Sequence, residues 1–391
     1  MHSFEPPRRI LMGPGPSDVS PRVLAALARP TIGHLDPAFQ GLMEEIKGSL
    51  ARVLNAPDHA CLPLPTPGTG GMEAALMNLL SPGDVAVIAV NGQFGERMVD
   101  MAGRAGAVVI RVDHEWGMPV DPERVEAALT GAGAKVLAFV HAETSTGAMS
   151  APGPLCALAR AHGAFSIVDC VTSVGGIPVD VAGWGADVIY SGTQKCLSAP
   201  PGLSPFAMGA AAREAVSART EKPRNWLLDM GLIMSYWGGV GGRTYHHTAP
   251  INALYGLHEA LVALEEEGLP AAHARHARMH KALAAGLEAA GLGLLVDAAH
   301  RLPQLNAVLI PDGVDEARVR ARMLHAYSLE IGAGLGPLKG RIWRVGLMGA
   351  SATPLHVRLC LTALCDALTT EGRPDATRAA LQAAEGVLGR A

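Results

Sequence analysis

Short runs that are apolar at nearly every position, separated by stretches with helical spacing, constrain this chain more than any other feature. Val85–Val90, Ala107–Val112, Lys135–Val140, Phe165–Val168 and Asp187–Tyr190 are such runs. A strand with one wet face alternates polar and apolar residues. One that is apolar throughout is covered on both faces. Pro122–Leu129 and Leu155–His162 lie between these runs and carry helical spacing. The pattern predicts an α/β fold on a mainly parallel sheet, with helices on both faces. In such sheets ligands bind beyond the carboxyl ends of the strands.

The last third has a different texture. Ile251–Glu267 and Ala271–Ala290 read as long helices, Leu305–Ile310 and Arg341–Gly346 as strands, and the alanine-rich tail from Ala376 as a terminal helix. A chain of 391 residues is long for one core. The expected organisation is an N-terminal arm over 1–15, a large unit over 16–255 and a smaller α+β unit over 256–391. Near the start, Gly13-Pro14-Gly15-Pro16-Ser17 is a turn cluster, followed by a helix from Ser20 or Pro21 and another over Ala38–Leu54.

Several functional classes are excluded by composition. The net charge is −4 and aromatics make up 4%, so neither a basic field nor a stacking platform for nucleic acid is expected. No apolar run reaches the roughly 18 residues of a membrane span. Met1 to Ile10 has no apolar signal core. The six cysteines, Cys61, Cys156, Cys170, Cys196, Cys360 and Cys365, form no C-x-x-C pair, so neither a metal site nor a disulfide framework is expected. These readings place the chain in the cytoplasm.

The chemistry gathers at the ends of the predicted strands. Ser191-Gly192-Thr193-Gln194-Lys195 follows the strand ending at Tyr190, and Ala199-Pro200-Pro201-Gly202 fixes the loop beyond it. A lysine there loses hydration, which lowers its pKa and frees the amine as a nucleophile for a carbonyl. Its ordinary alternative is a surface loop lysine. Asp169 ends the Phe165–Val168 run, where a carboxylate is costly unless paired; alone it would read as a helix cap. Gly68-Thr69-Gly70-Gly71 opens a helix, and free amides at a helix start make a phosphate seat. The third glycine of a dinucleotide fingerprint is missing, so that reading is set aside. His141-Ala142-Glu143-Thr144-Ser145-Thr146-Gly147 follows the third run, and its hydroxyls serve either a ligand or simple loop capping.

Taken in order, these blocks resemble the class V aminotransferases of the alanine–glyoxylate and serine–glyoxylate type. The segment Ser191 to Gly202 carries the resemblance most specifically. Tyr245-His246-His247-Thr248 and Trp343-Arg344-Val345-Gly346-Leu347 extend it, so that it spans about residues 11 to 352. The resemblance implies the fold type I architecture, with a seven-stranded, mainly parallel sheet and a smaller C-terminal unit, in a homodimer with shared sites. It implies pyridoxal 5'-phosphate as cofactor, with Lys195 holding it covalently and Asp169 paired to its ring nitrogen. Thr69, Gly70, Gly71 and Gln194 would hold the phosphate, and Tyr245 and Thr248 would reach the phosphate in the partner subunit. Thr144 would contact the phenolic oxygen. Phe94 stands where relatives place a tryptophan or other aromatic on the ring. Arg344 would grip the substrate α-carboxylate, with Gly15 and Thr144 lining the substrate side, and no metal is implied. The expected reaction is ping-pong transamination from alanine or serine to glyoxylate.

Within the same fold, 2-aminoethylphosphonate–pyruvate or pyridoxamine–pyruvate transamination stands as an alternative. From another class, a non-catalytic scaffold does. A regulator would carry an added DNA-binding region, and none precedes residue 11. A cysteine desulfurase is disfavoured, because residues 270–359 contain no cysteine and Gln194 stands where that family has histidine.

Overall fold

The computed structural model describes residues 1–238 and 243–389. Its centre is a seven-stranded sheet. In chain order the strands are β1 (Ala60–Leu64), β2 (Val85–Val90), β3 (Val108–Asp113), β4 (Val136–Val140), β5 (Phe165–Asp169), β6 (Val188–Tyr190) and β7 (Ser204–Met208). They lie in the order β1-β7-β6-β5-β4-β2-β3, parallel except for β7, which is antiparallel to both neighbours. The apolar runs occupy β2 to β6; β2, β4, β5 and β6 are buried nearly throughout, whereas β3, at the sheet edge, fully buries only Val112. β4 is buried at every residue.

β1 and β7 do not announce themselves in the sequence, because each contains a proline. Pro63 and Pro205 face each other across the pair. Neither can donate to the other, so this register position needs no hydrogen bond. Pro205 also lies one residue past the last β6 pair, Phe206–Tyr190, so the central ladder loses no donor.

A smaller sheet follows, with β8 (Leu305–Leu309), β9 (Gly332–Ala333) and β10 (Ile342–Gly346) in the order β8-β10-β9, both pairings antiparallel. The helices Leu269–Ala289, Glu316–Tyr327, Pro354–Thr370 and Thr377–Leu388 share its apolar core.

The apolar interior divides into two main cores. One surrounds the large sheet and runs from Phe39 to Ala272. The other runs from Met279 to Leu388 and takes in Met12. The Ile251–Glu267 helix, expected to open the small unit, buries Ile251, Leu254, Leu257, Leu261 and Leu264 in the first core. The division between cores therefore falls inside the Leu269–Ala289 helix. The arm belongs with the later part of the chain: Ile10 and Leu11 pair in parallel with Leu329 and Glu330. Arg390 and Ala391, the expected end of the small unit, lie outside the described residues.

Candidate active site

The loops beyond the carboxyl ends of β1, β2, β4, β5 and β6 meet in one place, and each brings a group that the sequence marked. Lys195 follows β6 and is 7% exposed. Its amine donates to the carbonyl of Pro14 in the arm. Burial, helped by the nearby charge of Arg344, pulls the amine down to about 8. The shift is in the direction a nucleophile needs, toward a larger neutral fraction than an ordinary lysine has. Gly15 makes the approach possible. Its φ of +112° suits glycine, and a Cβ there would sit 2.5 Å from the lysine nitrogen.

Asp169 ends β5, 2% exposed. Its Oδ1 accepts the Val171 amide at 2.8 Å and its Oδ2 accepts the Tyr190 hydroxyl at 2.8 Å. Burial pushes the carboxyl up to about 6 against those two donors.

Residues Gly68–Leu79 form the helix after β1. Pro67 stands at its N-cap and supplies no side-chain acceptor for the first amides. Gly68 packs closely here: a Cβ would lie 2.9 Å from Val171 Cγ2 and 3.3 Å from the Ser191 carbonyl oxygen. Gln194 Oε1 is buried with no hydrogen-bond partner among the described residues. Gly71 instead faces the sheet, against Ser204 and the Cβ of Tyr190, where its missing side chain lets helix and sheet approach.

Arg344, in the middle of β10, is 7% exposed. Its Nε donates to the Ala333 carbonyl at 2.7 Å and its Nη1 to that of Thr144 at 3.3 Å. Desolvation lowers it to about 10, so it stays cationic at neutral pH. Among the described residues it has no carboxylate within ion-pair distance. A buried guanidinium held only by carbonyls retains donors for an anion. Thr144 shares a 2.6 Å hydrogen bond with Thr172.

Two contributors escaped the sequence reading. Glu143 is fully buried, and Ser145 Oγ donates to its Oε1 at 2.6 Å. Its Oε2 accepts the Phe94 amide at 3.2 Å, while Ser145 Oγ accepts the Gln93 amide at 2.9 Å. The helix Gln93–Arg104 has Gly92 at its N-cap, which offers no side chain. A distant carboxylate and hydroxyl cap it instead, and so fix Phe94. Most of the hydroxyl-rich loop after β4 is thus capping, with Thr144 the exception. The signal was available in the glycine preceding a helix start. Arg97 is the second: it lies 4.9 Å over the Phe94 ring and donates to Thr69 Oγ1 at 2.9 Å.

The contacts run as a chain along the site, from Lys195 through Pro14, Gly332, Arg344 and Thr144 to Glu143, Phe94, Arg97 and Thr69. Tyr245 and Thr248 stand apart. Tyr245 is 67% exposed, and its hydroxyl lies 3.3 Å from that of Thr248. His141 is buried edge-on against Trp184. Among the described residues no cluster of histidine, cysteine, aspartate or glutamate could hold a metal ion.

The profile of the family described as aminotransferase class-V matches residues 20–336. The chain belongs to the class V aminotransferase family. An alanine–glyoxylate aminotransferase from Drosophila melanogaster is 38% identical to it over 93% of both chains. The crystal structure of an alanine–glyoxylate aminotransferase from Nostoc sp. is 44% identical, with a TM-score of 0.92, covering 94% of this chain and 97% of that one. That of a ureidoglycine–glyoxylate aminotransferase from Bacillus subtilis is 34% identical, with a TM-score of 0.97 over 100% of both. The architecture is accordingly that of fold type I, with a mostly parallel central sheet. For a class V aminotransferase, the groups assembled here fit an aldehyde cofactor bearing a pyridine ring and a phosphate. Lys195 is a buried amine for the aldehyde, Asp169 a buried acid for the ring nitrogen, and the first amides of the Gly68 helix, which no side chain caps, are donors suited to a phosphate.

Proposed function

We propose that this chain is a pyridoxal-phosphate-dependent transaminase that passes the amino group of alanine or serine to glyoxylate. The observation that carries this reading is a buried lysine amine close to a buried guanidinium that has no ion-pair partner among the described residues. A carbonyl and a carboxylate are the ligands such a pair suits, and relatives named for glyoxylate cover nearly the whole chain.

The cofactor, when bound, supplies a carbonyl for the amino group and a ring that accepts electrons. Lys195 would hold it covalently and, once displaced by the amino donor, would carry a proton at the substrate Cα. Asp169 would keep a proton on the ring nitrogen. Thr69, Gly70 and Gln194 would take the phosphate, with the Gly68 helix start aimed at it. Phe94, steadied by Glu143 and Arg97, would cover the ring face, and Thr144 would meet the phenolic oxygen. Arg344 would take the substrate carboxylate as a two-pronged fork, beside Gly15. We infer a homodimer in which Tyr245 and Thr248 reach the partner's phosphate seat, supported by their exposure on the single chain. The cytoplasm remains our proposed location. All six cysteines are unpaired and buried, and no described helix is long and apolar enough to cross a membrane.

Lys195→Ala should abolish the covalent adduct that borohydride traps between chain and cofactor. An adduct that persists in this variant refutes the assignment. Ureidoglycine is a second donor to consider, because the relative named for it spans all of this chain. A panel of alanine, serine, ureidoglycine, 2-aminoethylphosphonate and pyridoxamine, each against glyoxylate and pyruvate, decides among the readings.

A further inference from the structure

Tyr190 closes β6 with its side chain fully buried. β5 and β6 run parallel, with Asp169 in register with Tyr190. The ladder thus brings the phenol to the carboxylate, and the hydroxyl donates to Oδ2 at 2.8 Å. Oδ1 takes the Val171 amide from the turn after β5, also at 2.8 Å. Two donors from separate elements therefore fix the carboxylate, one on each oxygen, and each oxygen keeps lone-pair capacity for a further donor. Packing alone does not call for this hydroxyl, since phenylalanine fills nearly the same volume, and a buried phenol without a partner is costly.

The other titratable or charged groups facing Asp169 are Glu143 and Lys195; those facing Tyr190 add Cys170 and Arg97. Burial and Glu143 oppose ionisation of Asp169. The Val171 amide, the Tyr190 hydroxyl and Lys195 favour it.

We propose that Tyr190 is a positioning residue for the transamination: its hydroxyl keeps Asp169 ionised and oriented, so that the carboxylate can hold the proton of the cofactor's ring nitrogen. This rests on the reading of Asp169 as the partner of that nitrogen. Hydrogen bonds to an ionised acceptor are stronger than those to a neutral one, so the phenol favours the charged carboxylate. Without it, the neutral acid persists to higher pH.

The test uses the full-length protein stripped of cofactor and titrated with pyridoxal phosphate at a series of pH values, with binding followed by absorbance. Tyr190→Phe should bind roughly 10- to 100-fold more weakly, the scale of one lost hydrogen bond to a charged group. The pH at which binding falls away on acidification should also move upward. Ser166→Ala removes another buried hydroxyl of β5, whose partner is the Asp187 carboxylate at 2.9 Å and not Asp169; it should match the wild type. If Asp169→Asn binds as the wild type does, the reading of Asp169 itself is wrong. If Asp169→Asn is weakened while Tyr190→Phe keeps the wild-type affinity and pH midpoint, only the Tyr190 inference is overturned. Uniform weakening of Tyr190→Phe with an unmoved midpoint overturns it as well, since that marks packing. Should Tyr190→Phe not fold, a fluorinated tyrosine at position 190, a stronger donor of the same shape, should move the midpoint down; an unmoved midpoint refutes the proposal.

Discussion

Arg344 is the residue whose environment says most about its ligand. Two carbonyls hold the guanidinium, burial weakens its hold on its own proton, the charge of Glu143 counters that only in part, and no described carboxylate lies within ion-pair distance. Removing a charge-assisted, two-pronged contact costs about 1.5–3 kcal/mol. Arg344→Lys should therefore raise KM roughly 10- to 100-fold for every α-amino acid tried, because lysine is a point charge without the fork. An effect confined to one donor would show that Arg344 reads a side chain and not the common carboxylate. Lys195, Asp169 and Arg344 were legible in the sequence because each is an ionisable residue beside or within an apolar strand, where an unpaired charge is costly. Glu143, Arg97 and Tyr190 were not legible in this way. Their parts depend on a helix cap supplied from about fifty residues away, on a ring and a hydroxyl brought beneath a guanidinium, and on strand register.

At the scale of elements, His276 links the Leu269–Ala289 helix to the turn after β10. Its Nε2 accepts the Gly349 amide at 2.9 Å, so its Nδ1 must donate to the Ala272 carbonyl at 2.6 Å. The ring is therefore neutral, and burial lowers it from 6.5 to about 4. His141 is lowered to about 4 in the same way. A histidine depressed on folding contributes stability that is complete above 6.5 and drains away as pH falls toward 4, because only the unfolded chain takes up the proton. Asp169, raised from 3.8 to about 6, works in the opposite sense and offsets part of this. The cofactor-free protein should lose up to about 3 kcal/mol per such histidine on acidification, less the Asp169 contribution. Denaturant midpoints across this range measure the loss, and His276→Asn should flatten the slope; an unchanged slope would remove His276 from the account. Strands β2, β4, β5 and β6 could be read from sequence because two-sided burial writes itself as continuous apolar runs; the apolar run of β3 marks an edge strand that is largely uncovered in the single chain. β1 and β7 could not, since their prolines break the pattern and only the facing register makes them harmless.

For the whole molecule, Tyr245, Trp226, Leu227 and Leu232 are exposed on the single chain, and the proposed homodimer would cover apolar surface of this kind. Light scattering should give twice 40.5 kDa. A monomer that retains cofactor normally would contradict the shared seat. The two cores were visible as a change of texture along the sequence, but their division inside the Leu269–Ala289 helix was not, because a long amphipathic helix can serve two cores without a break in its spacing. The arm joins the extremes of the chain. Pro14 accepts from the Lys195 amine, and Met12 just before it accepts the Gly346 amide at 2.7 Å. The amine's acceptor is thus braced on both flanks, by the Gly346 amide on the Met12 carbonyl and by the Ser17 amide on the Gln194 carbonyl at 2.9 Å. A backbone nick between Met12 and Ser17 would free that acceptor from one brace while leaving every strand of the large sheet uncut.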